Sequence, residues 1–145
     1  AAAVLPAVQA ALAAEHAAVY GYGVVGARSA DDRAAEARQA HAGHVARRDA
    51  LTRTVRSLGG APRASEAAYA LPAPVRTPAE AVGLAAGIED RIAGAYSDLV
   101  RAAQGPLRRG AADAMREAAV RAARWRGVGV AFPGLTERPE RATTS

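Results

Sequence analysis

The chain has 145 residues, enough for one domain able to bury most of its apolar surface. Forty-two residues are alanine, aromatics make up 4%, and cysteine is absent. The core must therefore be built from Ala, Val and Leu, and disulfides and thiolate metal sites are excluded. All 19 basic residues are arginine and the formal charge is +5. The arginines are interleaved with acids, as in Asp31-Asp32-Arg33, and lack stacking aromatics, which argues against nucleic acid as a partner.

Strand signals are missing and alanine is the best helix former, so the expected class is all-α. The first helix is predicted from about Pro6 to Ala27, with a seam of Leu5, Val8, Leu12, Glu15, Val19, Tyr22 and Gly26. The second is expected to start behind the capping residues of Ser29-Ala30-Asp31-Asp32 and to stop at Gly59-Gly60. Its seam, counted back from Leu58, is Val55, Leu51, Arg48, His44, His41, Ala37 and Ala34.

The stretch 61–78 holds Pro62, Pro72, Pro74 and Pro78 and is too long for a tight hairpin. It is expected to cross over between non-adjacent helix ends, giving a four-helix up-down bundle with a long crossover between helices 2 and 3. The third helix opens at Thr77-Pro78-Ala79-Glu80, with Thr77 as cap, and follows Val82, Ala85, Glu89, Ile92, Tyr96, Leu99 and Ala103. The fourth runs from about Pro106 to Arg126 with core positions Leu107, Ala111, Ala114, Ala118 and Trp125. The tail, 127–145, completes one domain spanning 1–145, with Phe132 and Leu135 expected to dock on the bundle. The two hairpins show no evident internal repeat.

Three seams carry ionisable residues where apolar ones belong: Glu15, Glu89, and His41 and His44 at i, i+3. Each lies near mid-helix, and a buried charge costs several kcal/mol unless it is paired, hydrogen-bonded or metal-bound. Convergence at one depth explains all four together. Two arrangements are open. In one, His41, His44 and a carboxylate hold Fe, Mn or Zn. In the other, Glu15 and Glu89 accept hydrogen bonds from His44, His41, Tyr22 or Tyr96 without metal.

The run Glu15-His16-Ala17-Ala18-Val19-Tyr20-Gly21-Tyr22-Gly23, His41-x-x-His44, Glu89-Asp90-Arg91, Ala68-Tyr69-Ala70-Leu71-Pro72, Arg124-Trp125-Arg126 and Phe132-Pro133-Gly134-Leu135 together resemble a ferritin-like domain family. The likeness is to an uncharacterised family of high-GC actinobacteria and covers nearly the whole chain. It implies a ferritin-like bundle. Di-iron members of that superfamily take one Glu from each of two helices and a Glu-x-x-His pair from each of the others. By the resemblance, Glu15 and Glu89 match the single carboxylates and His44 the histidine of helix 2. His41 stands in the place of a bridging glutamate, and Glu117 falls on a polar stripe of helix 4 with Asp113 and Arg124. A full di-iron centre is therefore not expected.

His16 points about 100° from the seam and is expected at a surface or interface. The Gly21-Tyr22-Gly23 glycines suggest close helix contact, and a homodimer is the expected assembly. No stretch is long and apolar enough to span a membrane, so no membrane partner and a cytoplasmic location are expected. The absent initiator methionine leaves an exported form with a removed signal peptide open.

Overall fold

In the computed structural model, which describes residues 3–127, four α-helices form the bundle: α1 (Val4–Arg28), α2 (Asp31–Ser57), α3 (Pro78–Ala102) and α4 (Gly105–Arg126). The Thr77 hydroxyl accepts from the Glu80 backbone N–H at 3.1 Å and donates to the Glu80 carboxylate, so α3 starts as its sequence predicts. At the head of α2 the outcome differs. Ala30 occupies the cap position without a side-chain bond, and Ser29 donates instead to the Val25 carbonyl, tying off the end of α1. Asp31 and Asp32 then complement the positive end of α2.

Short turns make α1–α2 and α3–α4 antiparallel hairpins. Tyr22 meets Glu89 and Tyr96 meets Glu15, so α1 and α3 are antiparallel as well. The helix order is accordingly up-down-down-up, and the crossover must return along the full bundle. It does so on the outer face of α1. The Gln9 amide donates to the Ala61 carbonyl (2.7 Å) and accepts from the Arg63 N–H (2.9 Å). Beyond that clamp, His16 Nε2 lies 2.9 Å from the Arg63 carbonyl, and Tyr20 packs against Tyr69 with ring centroids 5.6 Å apart. His16, off the seam, is thus a fastener for the crossover.

The core follows the predicted seams of α3 and α4 closely, with Ala85, Ile92, Tyr96 and Leu99 facing Ala111, Ala114, Ala118 and Trp125. On α2 the seam is shifted: Ala37, Ala40, His44, Leu51 and Val55 are buried, while His41 and Arg48 are only half-buried and Leu58 is 44% exposed. Counting from Leu58 starts the seam one residue off the buried stripe, and alternate steps then land beside it.

The helical hairpins are also related to each other, against the expectation of no repeat. Glu15 and Glu89, Tyr22 and Tyr96, and the helix starts Val4 and Pro78 are all separated by 74 positions. The same offset relates Ala37 to Ala111, Ala40 to Ala114, His44 to Ala118 and Leu51 to Trp125, every one of them buried. The bundle is therefore an approximate two-fold arrangement of two hairpins.

Packing is not uniform around the bundle. α1 packs on α2 and α3, and α3 on α4, but among the described residues α2 and α4 bring no Cα atoms within 8 Å of each other. Long side chains bridge that gap, and a cleft remains. No helix among the described residues is long and apolar enough to cross a membrane. The expected docking residues Phe132 and Leu135 lie outside the described residues. Removing the α3 cap in Thr77→Ala should lower unfolding free energy by about 1 kcal/mol while Thr77→Ser changes it little, as thermal melts would report.

Candidate functional site

Three of the four predicted site residues meet at the bundle centre. Glu15 and Glu89 are 0% exposed and His44 is 1% exposed. His44 Nδ1 lies 2.6 Å from Glu15 Oε2, and His44 Nε2 lies 2.6 Å from Glu89 Oε1. One imidazole thus bridges two carboxylates from helices that run in opposite directions. Buried alanines on the surrounding faces leave the interior to these polar side chains, and the ring spans from α2 past α1 to α3, with which α2 makes no Cα approach within 8 Å among the described residues.

Each carboxylate also receives a tyrosine hydroxyl. Tyr96 donates to Glu15 Oε1 (2.8 Å) and Tyr22 donates to Glu89 Oε1 (2.9 Å). The arrangement follows the two-fold: each of α1 and α3 carries a Glu and, seven residues later, a Tyr, and each Glu pairs with the other helix's Tyr. Trp125 Nε1 donates to the Tyr22 hydroxyl at 3.0 Å, extending the chain of hydrogen bonds across to α4. The Tyr22 ring stacks on His44 at 5.4 Å between centroids. Glu89 Oε2 is buried and has no partner among the described residues.

The electrostatics favour a charged imidazole. Burial alone would push His44 down, but its hydrogen bonds to Glu15 and Glu89, with their negative charge, outweigh that and push it up to about 9. Imidazolium is also the one form in which both ring nitrogens donate. Burial first, and then the charge of Glu89, raise the Tyr22 phenol well above its ordinary range. Burial and Glu15 do the same for Tyr96. Both tyrosines therefore remain neutral donors at any physiological pH.

His41 is not part of this cluster. It is half-buried and lines a surface hollow between α2 and α1 with Tyr22, Gly23, Gly26 and Arg38. The cause is angular: three residues from His44 is 300° around the helix, enough to leave the narrow central seam. Glu117, on the polar stripe of α4, is exposed and pairs with Arg47 at 3.0 Å. The place that the two-fold gives to a second histidine is held by Ala118. Among the described residues no three His, Cys, Asp or Glu side chains are grouped to hold a metal ion.

Sequence reasoning placed Trp125 as core filler and did not single out Arg33, yet the two close one end of the bundle. The Arg33 guanidinium stacks 4.3 Å from the Trp125 ring centroid and donates to the carbonyls of Arg124 (3.0 Å) and Trp125 (3.1 Å). No signal in the sequence pairs these two residues, which stand 92 positions apart.

The sequence profile of a family described as "Domain of unknown function (DUF4439)" matches residues 7–137. Among solved structures, the chain is similar to the crystal structure of a conserved hypothetical protein, rv2844, from Mycobacterium tuberculosis. The two share 35% identity over 87% of this chain and 96% of that one, with a TM-score of 0.84. No curated protein matches the chain.

Removing His44 should be costly, because two buried carboxylates lose their cation together. His44→Ala is expected to destabilise the fold by roughly 3–5 kcal/mol in denaturant unfolding, more than a comparable core truncation of Ala-rich neighbours. The pH dependence has a fixed sign. A folded-state value raised from 6.5 to about 9 gives stability that is full below pH 6.5 and lost as pH rises through 9. Between those limits the His44 contribution should fall by roughly 3 kcal/mol, at about 1.4 kcal/mol for each pH unit, and His44→Gln should abolish that slope.

Proposed function

The chain belongs to this family of unknown function, and from that premise we propose that it is a ferritin-like domain whose core holds a proton where di-iron members of that superfamily hold metal. The observation that carries the reading is the placement of both His44 nitrogens 2.6 Å from the carboxylates of Glu15 and Glu89. The imidazolium neutralises carboxylate charge from the centre of the bundle, which is the electrostatic task of a metal in such a position. Ala118 in place of a second histidine, and Glu117 turned to solvent, support the same reading. The role that follows is binding through the protein's surfaces, without full di-iron oxygen chemistry.

A homodimer is part of the proposal. It is supported by the α1 face at Gly23 and Gly26, where, among the described residues, nothing beyond the helix's own neighbouring backbone lies within 4 Å of an added Cβ, so a second backbone has room to approach. Gly21 is different: its missing Cβ makes room for Ile88 of the chain's own α3.

One observation favours a second reading, a metal-binding oxidoreductase with Fe, Mn or Zn. Glu89 Oε2 is buried without a partner, as a carboxylate oxygen awaiting a cation would be. In that case Glu15, His44 and Glu89 would hold the ion once His44 gave up a proton, with His41 turning inward to join them.

Elemental analysis separates the two readings. Protein purified without chelator and loaded with Fe(II), Mn(II) or Zn(II) at neutral pH is expected to retain no stoichiometric metal after desalting. About one ion per chain, lost in His44→Ala and in Glu89→Gln, would replace the proton reading with the metal reading. Sedimentation velocity should show a dimer that Gly26→Arg converts to monomer; a wild-type monomer at every concentration would remove the dimer from the proposal.

A further inference from the structure

The approximate two-fold makes one half of the bundle a template for the other, and the halves differ most around Tyr22 and Tyr96. On the Tyr22 side, the Trp125 indole fills the space between α2 and α4, donates its N–H to the tyrosine hydroxyl, and is covered by Arg33. At the corresponding positions on the Tyr96 side stand Leu51 in place of Trp125 and Leu107 in place of Arg33. Neither fills the same volume. A cleft of about 550 Å³ remains there, lined by Leu51, Leu58, Leu99, Leu107, Tyr96 and Arg47.

The chemistry of the cleft matches that substitution. Its walls are mostly apolar, with Thr54, Ser57 and Gln104 among them, and include Leu58, which at 44% is the exposed large hydrophobic of the described residues. Tyr96, 3% exposed, lies on the cleft with a hydroxyl that donates to Glu15 and has no donor of its own among the described residues, unlike the hydroxyl of Tyr22. A hydroxyl oxygen both donates and accepts, so the buried acceptor capacity of Tyr96 is unused.

We infer that this cleft is a binding site for a planar aromatic molecule bearing an N–H donor, seated as the indole of Trp125 is seated in the other half. The ring lies between Leu51 and Leu107, its N–H donates to the Tyr96 hydroxyl, and its edge reaches toward Leu58 at the mouth. Arg47, the counterpart of Arg121, stands at the rim in an ion pair with Glu117, so an anionic substituent on the ring would compete with Glu117 for it. The bound ring would also attach to the central network, since Tyr96 passes its own proton toward Glu15. Metal at the bundle centre is a separate matter, because none of the cleft residues is a carboxylate or histidine of the cluster.

The probe is free indole, with 1-methylindole as the analogue that keeps the ring and lacks the N–H. Indole titrated into the isotope-labelled full chain should shift amide signals of Leu51, Tyr96 and Leu107 while leaving Trp125 and Arg33 unmoved, with a Kd on the order of 1 mM for so small a ligand. 1-Methylindole should bind about tenfold more weakly, the worth of one hydrogen bond to a buried acceptor. Leu51→Trp fills the cleft from its floor and should abolish indole binding while raising Tm. Leu107→Trp, from the half-buried rim, should abolish it too, so a failure of either variant to fold leaves the other decisive. An indole titration without shifts near its solubility limit, or with shifts spread over the surface, would overturn the inference. So would equal affinity for the two ligands. Shifts that vanish as protein concentration and sedimentation mass rise together would give the cleft to a second copy of the chain.

Discussion

Two carboxylates and one imidazole share the centre of this bundle, and the rest of the fold is arranged so that they can. Glu15 and Glu89 have no exposed surface, and a carboxylate moved out of water costs several kcal/mol before any partner is counted. The compensation is geometric. A single ring from α2 reaches both acids although, among the described residues, α2 and α3 bring no Cα atoms within 8 Å of each other, and the small buried side chains of Ala18, Ala40, Ala85 and Ala118 leave the interior to these polar groups. Each acid then takes a second donor from a tyrosine on the opposite antiparallel helix. Loosening the backbone spacing would break several of these short contacts at once. The alanine content and the polar centre are therefore one design feature.

The approximate two-fold explains why this centre has the parts it has. Glutamates and tyrosines occur in pairs, one on each of α1 and α3, but the histidine occurs once. Ala118 holds the corresponding place on α4, and with it goes the second nitrogen ligand that a symmetric metal centre would need. The same broken symmetry shapes the surface between α2 and α4. Trp125 and Arg33 seal one end, whereas Leu51 and Leu107 leave the other open beside Tyr96. Core charge and outer cleft are thus joined through the tyrosines, one capped by an indole and one uncapped.

Much of this was legible in the sequence, for physical reasons that can be named. Glu15 and Glu89 stood out because a charge on an otherwise apolar seam needs a partner, and their depths agreed. Thr77-Pro78 marked the head of α3 because its capping chemistry is local. His41 was misplaced because three-residue and four-residue steps are both allowed on a helix, and a count begun at the exposed Leu58 selects the wrong one. The repeat was hidden because identities are few at the 74-residue offset and several buried positions differ, with Leu51 opposite Trp125 and His44 opposite Ala118. The role of Arg33 depends on a contact 92 positions away in sequence, and no local signal carries such information.

The bundle centre as described depends on the protonation of His44 at neutral pH. Nitrogen NMR of the selectively labelled imidazole tests it directly, because protonated and bare ring nitrogens have widely separated chemical shifts. A charged His44 gives two protonated-type nitrogens at pH 7 and keeps them until the pH approaches 9. One bare nitrogen at pH 7 would place the shared proton on a carboxyl group, leave the imidazole neutral, and contradict the account of how this core is held together.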